Sequence, residues 1–363
     1  MLYLSGVGLA IFLLLLLVAK DKKAQSDWVL ACWLLVMALH LLLFSFEQRG
    51  LYPEFLGAAL PFPLLHGPFL YIYTRSLTRY HSLSYYELSH FLPACLVVLY
   101  MIPFFGLSAA EKIEVFRNNG AGYENFNLVR HAAVITSGIL YVILSTVALR
   151  QHRKRIASLY SNTEKVNLQW LQYLIFWIAA IWLFVLTHIE ELVYGSAVLF
   201  VGFIGYFGIR QMGIFGNAVP EEKTLAAVDE TGSISILEKP KYQKSGLSAE
   251  TADRIHKDLT QIMRDEKLFT QSELSLADLA ARLNTPANYL SQVINEREGK
   301  NFYDYVNNLR IQEFIRVTGN PENQKYTLQA LAEEAGFSSK SSFNRHFKKV
   351  TGKSPSEYLQ YKG

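Results

Sequence analysis

Seven runs of mostly apolar residues occupy the first 215 residues of the chain. They cover residues 2–19, 28–46, 56–74, 91–107, 128–149, 168–189 and 192–214. A helix needs about 20 such residues to cross the hydrocarbon core of a bilayer, so each run is close to spanning length. Prolines interrupt the third and fourth runs, which membrane helices tolerate where neighbouring groups satisfy the freed carbonyls. The pattern predicts a seven-helix transmembrane domain over residues 1–215.

The first run differs from a cleaved signal peptide. Lys20, Asp21, Lys22 and Lys23 follow it in place of a small-residue cleavage site, and no basic residue precedes it. We therefore expect this run to stay in the mature protein as its first membrane helix.

The loops between the runs differ in basic charge. The loops after runs one, three and five carry ten Lys and Arg residues, whereas the loops after runs two, four and six carry three. Basic loops remain on the cytoplasmic side of a membrane. The sequence thus predicts a multi-pass protein of the cytoplasmic (inner) membrane, with its N-terminus outside and its C-terminal part in the cytoplasm.

Charge density rises towards the C-terminus. Residues 1–236 contain 31 charged side chains, and residues 237–363 contain 35 in about half the length. Prolines and glycines punctuate the polar stretch between the two parts, so we predict a linker over 216–247 and a second domain over 248–363. From Lys325 to Gly363, seven basic residues stand against three acidic ones, which favours a polyanionic partner.

The second domain contains an internal repeat. Residues 275–306 can be superimposed on residues 327–359 with one extra residue in the second turn. The matched pairs are Leu276/Leu328, Leu279/Leu331, Ala280/Ala332, Leu290/Phe343, Ile294/Phe347, Gly299/Gly352 and Tyr305/Tyr358.

Each copy of the repeat has the pattern of a helix, a short turn and a second helix. Ser275 and Asp278 fit a capping box, and Thr285-Pro286 fits an N-cap followed by proline at the first helical position. Gly336 is suited to end the preceding helix. The chain is therefore predicted to be all-α, with two helix-turn-helix motifs whose second helices can enter a DNA major groove.

The second helix of the second copy has polar residues suited to DNA. Phe343 and Phe347 would point inward and leave five residues outside for base edges: Lys340, Ser341, Ser342, Asn344 and Arg345. Arg can bind both acceptors of guanine, Asn can pair with adenine, and Ser suits either. Lys348 and Lys349 are suited to phosphates.

The first copy offers fewer positive charges at the matching positions. These positions are Asn288, Tyr289, Ser291 and Gln292, with Glu296 and Glu298 close by. Gln can form hydrogen bonds with adenine, but the nearby carboxylates predict weaker DNA binding by the first copy than by the second.

Residues 248–363 resemble the DNA-binding domain of the AraC/XylS family of bacterial transcription regulators. The resemblance lies in LADLAARLNTPANYLSQVIN and LQALAEEAGFSSKSSFNRHFKKVTGKSPSEYL. It implies base contacts from Lys340, Ser341, Ser342, Asn344 and Arg345, and from Asn288, Ser291 and Gln292 in the first copy. The usual sensor of that family is a soluble β-barrel, from which this sequence departs, so the family's ligands do not transfer.

Signatures of enzymes are missing from the sequence. It contains no HExxH, GxxxxGK[ST] or GxSxG, so we predict no enzyme, no cofactor and no metal site. Cys32 and Cys95 lie in apolar runs without a CxxC and are interpreted as packing residues. Ionisable residues at membrane depth are candidates for a functional site. Of these, His40 and His66 lie deepest, and both a ligand contact and a buried, hydrogen-bonded role remain open for them.

The sequence predicts a membrane-bound one-component transcription regulator. Its expected partners are promoter DNA, the lipid bilayer, a signal molecule of unknown identity and a second copy of the chain. Two alternatives remain: a bundle that only anchors the DNA-binding domain, and an intramembrane enzyme with a regulatory DNA-binding domain.

Overall fold

A computed structural model describes residues 2–78, 84–118, 120–187, 189–212 and 247–360. Within these ranges the chain forms fifteen α-helices and no strand, which confirms the all-α prediction. Residues 216–246 of the predicted linker, together with Arg79, His188 and Lys362, lie outside the described residues.

The chain divides into two compact units. The first consists of residues 1–152 and 168–219, and the second of residues 153–167 and 220–363. The domain limits inferred from the sequence stay a prediction. The second unit, however, includes a segment from the middle of the chain that the sequence assigned to the membrane domain.

Eight helices form the first unit. They are α1 (Leu2–Ala19), α2 (Gln25–Gln48), α3 (Pro63–Thr78), α4 (Leu92–Phe105), α5 (Ala109–Arg117), α6 (Glu124–Leu159, which continues into the second unit), α7 (Gln169–Val185) and α8 (Glu190–Met212). One apolar core joins α1, α2, α7 and α8 with part of α3, and another joins α3, α4 and α6. A Cβ at Gly67 would lie 2.6 Å from Tyr141 Cδ2, so glycine lets α3 approach α6 closely.

Five helical stretches are long and apolar enough to cross a membrane. They are Leu2–Ala19, Gln25–Gln48, Tyr85–Phe105, Glu124–Leu159 and Glu190–Phe207. The sixth predicted run forms the shorter apolar helix Gln169–Val185, and the third begins as turns and becomes helical only from Pro63 to Thr78. The count of seven spans therefore stays a prediction. Cys32 and Cys95 are both exposed, so their interpretation as packing residues is wrong.

Seven helices form the second unit together with the end of α6. They are α9 (Ala249–Asp265), α10 (Leu276–Arg282), α11 (Ala287–Glu298), α12 (Phe302–Thr318), α13 (Leu328–Glu334), α14 (Lys340–Thr351) and α15 (Pro355–Gln360). The internal repeat appears as two helix pairs of equal lengths, 7 and 12 residues in each copy. Helix α12 lies between them in sequence and contributes to the core of each.

Local sequence signals set the ends of these helices. The capping box of Ser275 and Asp278 is present at α10, whereas α11 begins one residue later than predicted, with Pro286 rather than Thr285 as its N-cap. Gly299 and Gly352 close α11 and α14 in the left-handed conformation. Gly336 has φ +102°, and a Cβ there would lie 2.7 Å from the carbonyl oxygen of Phe269, so the turn before α14 requires glycine.

Candidate DNA-binding surface

Apolar side chains hold the second helix of each pair against the rest of its motif. In α11, Leu290, Val293 and Ile294 are fully buried, and in α14, Phe343 and Phe347 pack against Phe314 of α12. Ser339 is the N-cap of α14, where its Oγ accepts a hydrogen bond from the backbone N–H of Ser342. The inward orientation predicted for Phe343 and Phe347 is confirmed.

The outer face of α14 is polar and basic. Exposed side chains along it are Lys340, Ser341, Asn344, Arg345, Lys348 and Lys349. Ser342 is only 6% exposed, so the prediction that it faces outward is wrong. Its position directly before Phe343 brings it onto the buried stripe of the helix, which is wider than the two phenylalanines alone.

Two basic residues of α14 contact the first turn of α12. The Arg345 guanidinium donates a hydrogen bond to Tyr303 Oη at 2.8 Å, and Lys349 Nζ forms an ion pair with Asp304 at 2.6 Å. These contacts fix the direction of both side chains along the outer face of α14. Sequence reasoning missed Tyr303 and Asp304, because nothing in the local pattern of α12 links them to a helix about 40 residues later.

The first copy presents a less basic surface. Asn288 is exposed, while Tyr289 and Ser291 are half-buried. Gln292 is only 6% exposed and donates a hydrogen bond to Glu296 at 2.9 Å, so its predicted outward position is wrong. The two copies thus share a backbone pattern but differ in the charge that they present.

A buried histidine lies beneath the outer face of α14. His346 is 2% exposed, its ring contacts Tyr303 edge-on, and neither ring nitrogen has a hydrogen-bond partner among the residues that the structure describes. The pKa of His346 is lowered to about 4, mainly by burial and in smaller part by the neighbouring Arg345 charge. The imidazole is therefore neutral at physiological pH.

Residues 160–167 belong to the second unit and pack against the rest of it on the side of α12. Ser161 donates from both its N–H and its Oγ to the carbonyl of Leu274, at 3.1 and 2.6 Å. Asn307 of α12 donates to the carbonyl of Ser161 at 3.0 Å. Arg310, 1% exposed, donates to Ser161 Oγ at 3.1 Å and to the carbonyl of Phe269 at 2.6 Å. This polar network holds the segment in place at the start of the first motif.

The same segment reaches the N-terminal end of α14. Asn162 donates to Ser338 Oγ at 2.8 Å, and Ser339 Oγ donates to the carboxylate of Glu164 at 2.5 Å. Ser339 is the N-cap, so a negative charge lies at the end of the helix where the backbone dipole is positive. We call residues 160–167 the docked segment. Nothing in its sequence, YSNTEKVN, predicted this position.

The two histidines singled out from the sequence lie in the first unit and form a continuous hydrogen-bond chain. Trp33 Nε1 donates to His66 Nδ1 at 3.3 Å, and the ring nitrogens His66 Nε2 and His40 Nδ1 are 2.9 Å apart. His40 Nε2 lies 3.3 Å from Tyr194 Oη. Because the Trp33 indole can only donate, His66 Nδ1 accepts and His66 carries its proton on Nε2. That proton is donated to His40 Nδ1, and His40 in turn donates from Nε2 to Tyr194 Oη, so both imidazoles are neutral in this arrangement. All four ring nitrogens have partners.

Comparison with protein families supports the interpretation of the second unit. Residues 279–361 match the model of a family described as "Helix-turn-helix domain". These residues are an AraC-type helix-turn-helix domain. The AraC-type domain begins within α10 and ends after α15, so it includes the second part of α10 and all of the helices from α11 to α15.

Two further comparisons accompany this match. No curated protein matches the chain. A solved structure of a protein of unknown function from Listeria innocua is 28% identical, covers 30% of this chain and 95% of its own, and has a TM-score of 0.25.

Proposed function

We propose that the chain is a membrane-bound one-component transcription regulator that binds promoter DNA sequence-specifically from the cytoplasmic face. The AraC-type domain with the exposed basic face of α14 carries this proposal. The apolar helices of the first unit support a membrane location, and the loop charges support a cytoplasmic AraC-type domain. Two copies held in one membrane would meet at raised local concentration, so a homodimer is part of the proposal.

In this proposal α14 enters the major groove. Lys340, Ser341, Asn344 and Arg345 face base edges, while Lys348 and Lys349 contact phosphates. Asn288, Tyr289 and Ser291 of α11 contact a second, more weakly held stretch of groove. Ser342 and Gln292 are left out because their side chains are buried.

The DNA proposal is tested with the full chain in lipid nanodiscs against a selected DNA library. Arg345→Ala should cost about 1–3 kcal/mol of binding to the preferred site and relax the preference at one position, because guanine loses a bidentate partner. Lys348→Ala should weaken all sequences alike and reduce the salt dependence. Unchanged binding and preference in an Arg345→Ala, Asn344→Ala double variant would overturn the assignment of α14.

The docked segment favours control by the membrane domain over simple anchoring. A domain that serves only as an anchor needs no contact with the DNA-binding helices. The docked segment, by contrast, is continuous with α6 and places Glu164 at the N-cap of α14. A carboxylate at this position would repel DNA phosphates as the N-terminal end of α14 approaches them. We propose that docking lowers DNA affinity and that a signal received by the membrane helices changes it.

A further inference from the structure

The first unit contains a cavity of about 440 Å³, within the size range of small-molecule sites. Its wall includes residues of α2, α3, α6, α7 and α8, and most of them are apolar. The hydrogen-bond chain of His40 and His66 forms part of this wall. Because all four ring nitrogens of this hydrogen-bond chain already have partners, the two histidines have no unpaired ring nitrogen with which to bind a ligand.

Charged residues cluster at one end of the cavity. Glu47 lies in the last turn of α2, Glu190 begins α8, and Arg130 lies in the second turn of α6. Helix α2 ends where α6 and α8 begin, so the three charges share one end of the unit. Seven residues of α2 separate Glu47 from His40, which corresponds to about 10 Å along the helix. The cavity is therefore amphipathic: one end, which we call its mouth, is charged, and the rest of the wall is mostly apolar apart from the histidine pair and Tyr194.

The opposite charges at the mouth form no close ion pair with each other among the described residues. Among the described residues, no ion pair within 4.0 Å joins Arg130 to Glu47 or Glu190. Arg130 Nη2 lies 3.3 Å from His131 Nε2, while among the described residues its buried Nε has no hydrogen-bond partner. Glu190 accepts a hydrogen bond from Gln48, whereas the carboxylate of the half-buried Glu47 has no hydrogen bond to any described residue. A guanidinium and a carboxylate thus line one cavity, and among the described residues no hydrogen bond or ion pair joins the two groups.

We propose that this cavity binds a small zwitterionic amphiphile. Its anionic group would pair with Arg130, its ammonium group with Glu47, and its apolar body would lie against Trp182 and Phe200 in the interior. A ligand with one charge would leave either the guanidinium or the carboxylate desolvated and unpaired, which is costly. The inference deepens the proposed function by giving the chemistry of the signal, and it rests on that function only for its regulatory consequence.

The binding test uses the full chain in nanodiscs of phosphatidylglycerol, which has no zwitterionic headgroup. Tritiated 2-aminodecanoic acid is the probe, and decanoic acid, decylamine and 1-decanol are competitors with a similar apolar body. We expect the zwitterion to bind about tenfold or more tightly than each competitor, the factor that one charge-assisted hydrogen bond supplies. Equal competition by 1-decanol, or by either singly charged compound, would overturn the proposal.

Matched variants assign each end of the zwitterion. Arg130→Gln should abolish the preference over decylamine, and Glu47→Gln the preference over decanoic acid. Glu191→Gln removes a carboxylate beside Glu190 that does not line the cavity, so it should bind the probe like the unmodified chain. Loss of the same preference in all three variants would show a general charge effect and contradict the site.

Two further experiments identify the source of the ligand and distinguish a failure of the ligand site from a failure of the proposed function. Displacement by a hydrophobic dipeptide would indicate amino acids or peptides, and displacement by lysophosphatidylethanolamine would indicate a lipid headgroup; failure of both would count against the zwitterion. Promoter binding is then measured with and without the probe. If the probe binds but promoter affinity stays constant, the site stands and the sensing role fails. If promoter binding is intact but no probe binds, the regulator stands and the site fails.

Discussion

At the level of a single residue, we expect His346 to make the stability of the AraC-type domain depend on pH. Its folded-state pKa is about 4, below the ordinary value of 6.5, because burial disfavours the imidazolium. A histidine with a depressed pKa contributes stability above pH 6.5 and loses it as the pH falls towards 4. We expect a loss of up to about 3 kcal/mol at pH 4, confined to this window.

The measurement is hydrogen–deuterium exchange of α14 in the full chain, corrected for the intrinsic exchange rate at each pH. His346→Gln should be less stable at pH 7 through lost packing but should show a much flatter profile between pH 6.5 and 4. His256→Gln, at a partly exposed histidine paired with Glu298, is the control and should keep the steep profile. A steep profile in His346→Gln would show that another group is responsible.

Single residues also show how far the sequence predicts the site. Phe343 and Phe347 are four residues apart, so they fix which face of α14 is buried, and this made the exposed Lys340, Asn344 and Arg345 predictable. The same reasoning failed at Ser342 because the buried stripe has a width that a two-residue pattern does not give. Small polar side chains next to an apolar position follow their neighbours inward when hydrogen bonds satisfy them.

Among the elements, the docked segment carries the sharpest prediction. Glu164→Gln removes the charge at the N-cap of α14 but keeps a hydrogen-bond acceptor for Ser339 Oγ. We expect promoter affinity to rise about two- to tenfold, corresponding to roughly 1 kcal/mol, because incoming phosphates lose a repulsive neighbour. The measurement is a titration of nanodisc-embedded protein with labelled promoter DNA.

A charge-matched control separates position from net charge. Glu250→Gln makes the same change at an exposed site in the first turn of α9. It should leave affinity within the error of the measurement at physiological salt, where distant surface charges are screened. An equal rise in both variants would mean that Glu164 acts through net charge, and the proposed inhibitory contact would then be wrong.

The sequence predicted some elements much better than others. Periodicity, caps and the internal repeat define α10, α11, α13 and α14 because these signals are local. The docked segment gave no such signal, since its partners Leu274, Asn307 and Arg310 lie more than 110 residues further along the chain. The length of the third apolar run also failed to predict where its helix begins, because prolines and turns delay the helix until Pro63.

For the whole molecule, the decisive comparison is between a sensor and an anchor. A chimaera would join an unrelated seven-span anchor to residues 216–363, and a second chimaera would also graft residues 153–167 into a cytoplasmic loop. Both should bind promoter DNA, but neither should respond to the native signal in a reporter strain. The second chimaera should bind promoter DNA more weakly than the first, because it restores Glu164 at the N-cap of α14. A native response from either chimaera would contradict sensing by the first unit.

The composition of the second unit has a consequence for proteolytic release. Because residues 153–167 belong to it, the chain enters this unit twice, once through the end of α6 and once after residue 219. A protease that cuts once between residues 213 and 246 would therefore nick the polypeptide while Arg310 and Asn307 still hold Ser161. The AraC-type domain would stay bound to the N-terminal fragment, so its release would require a second event that breaks these noncovalent contacts.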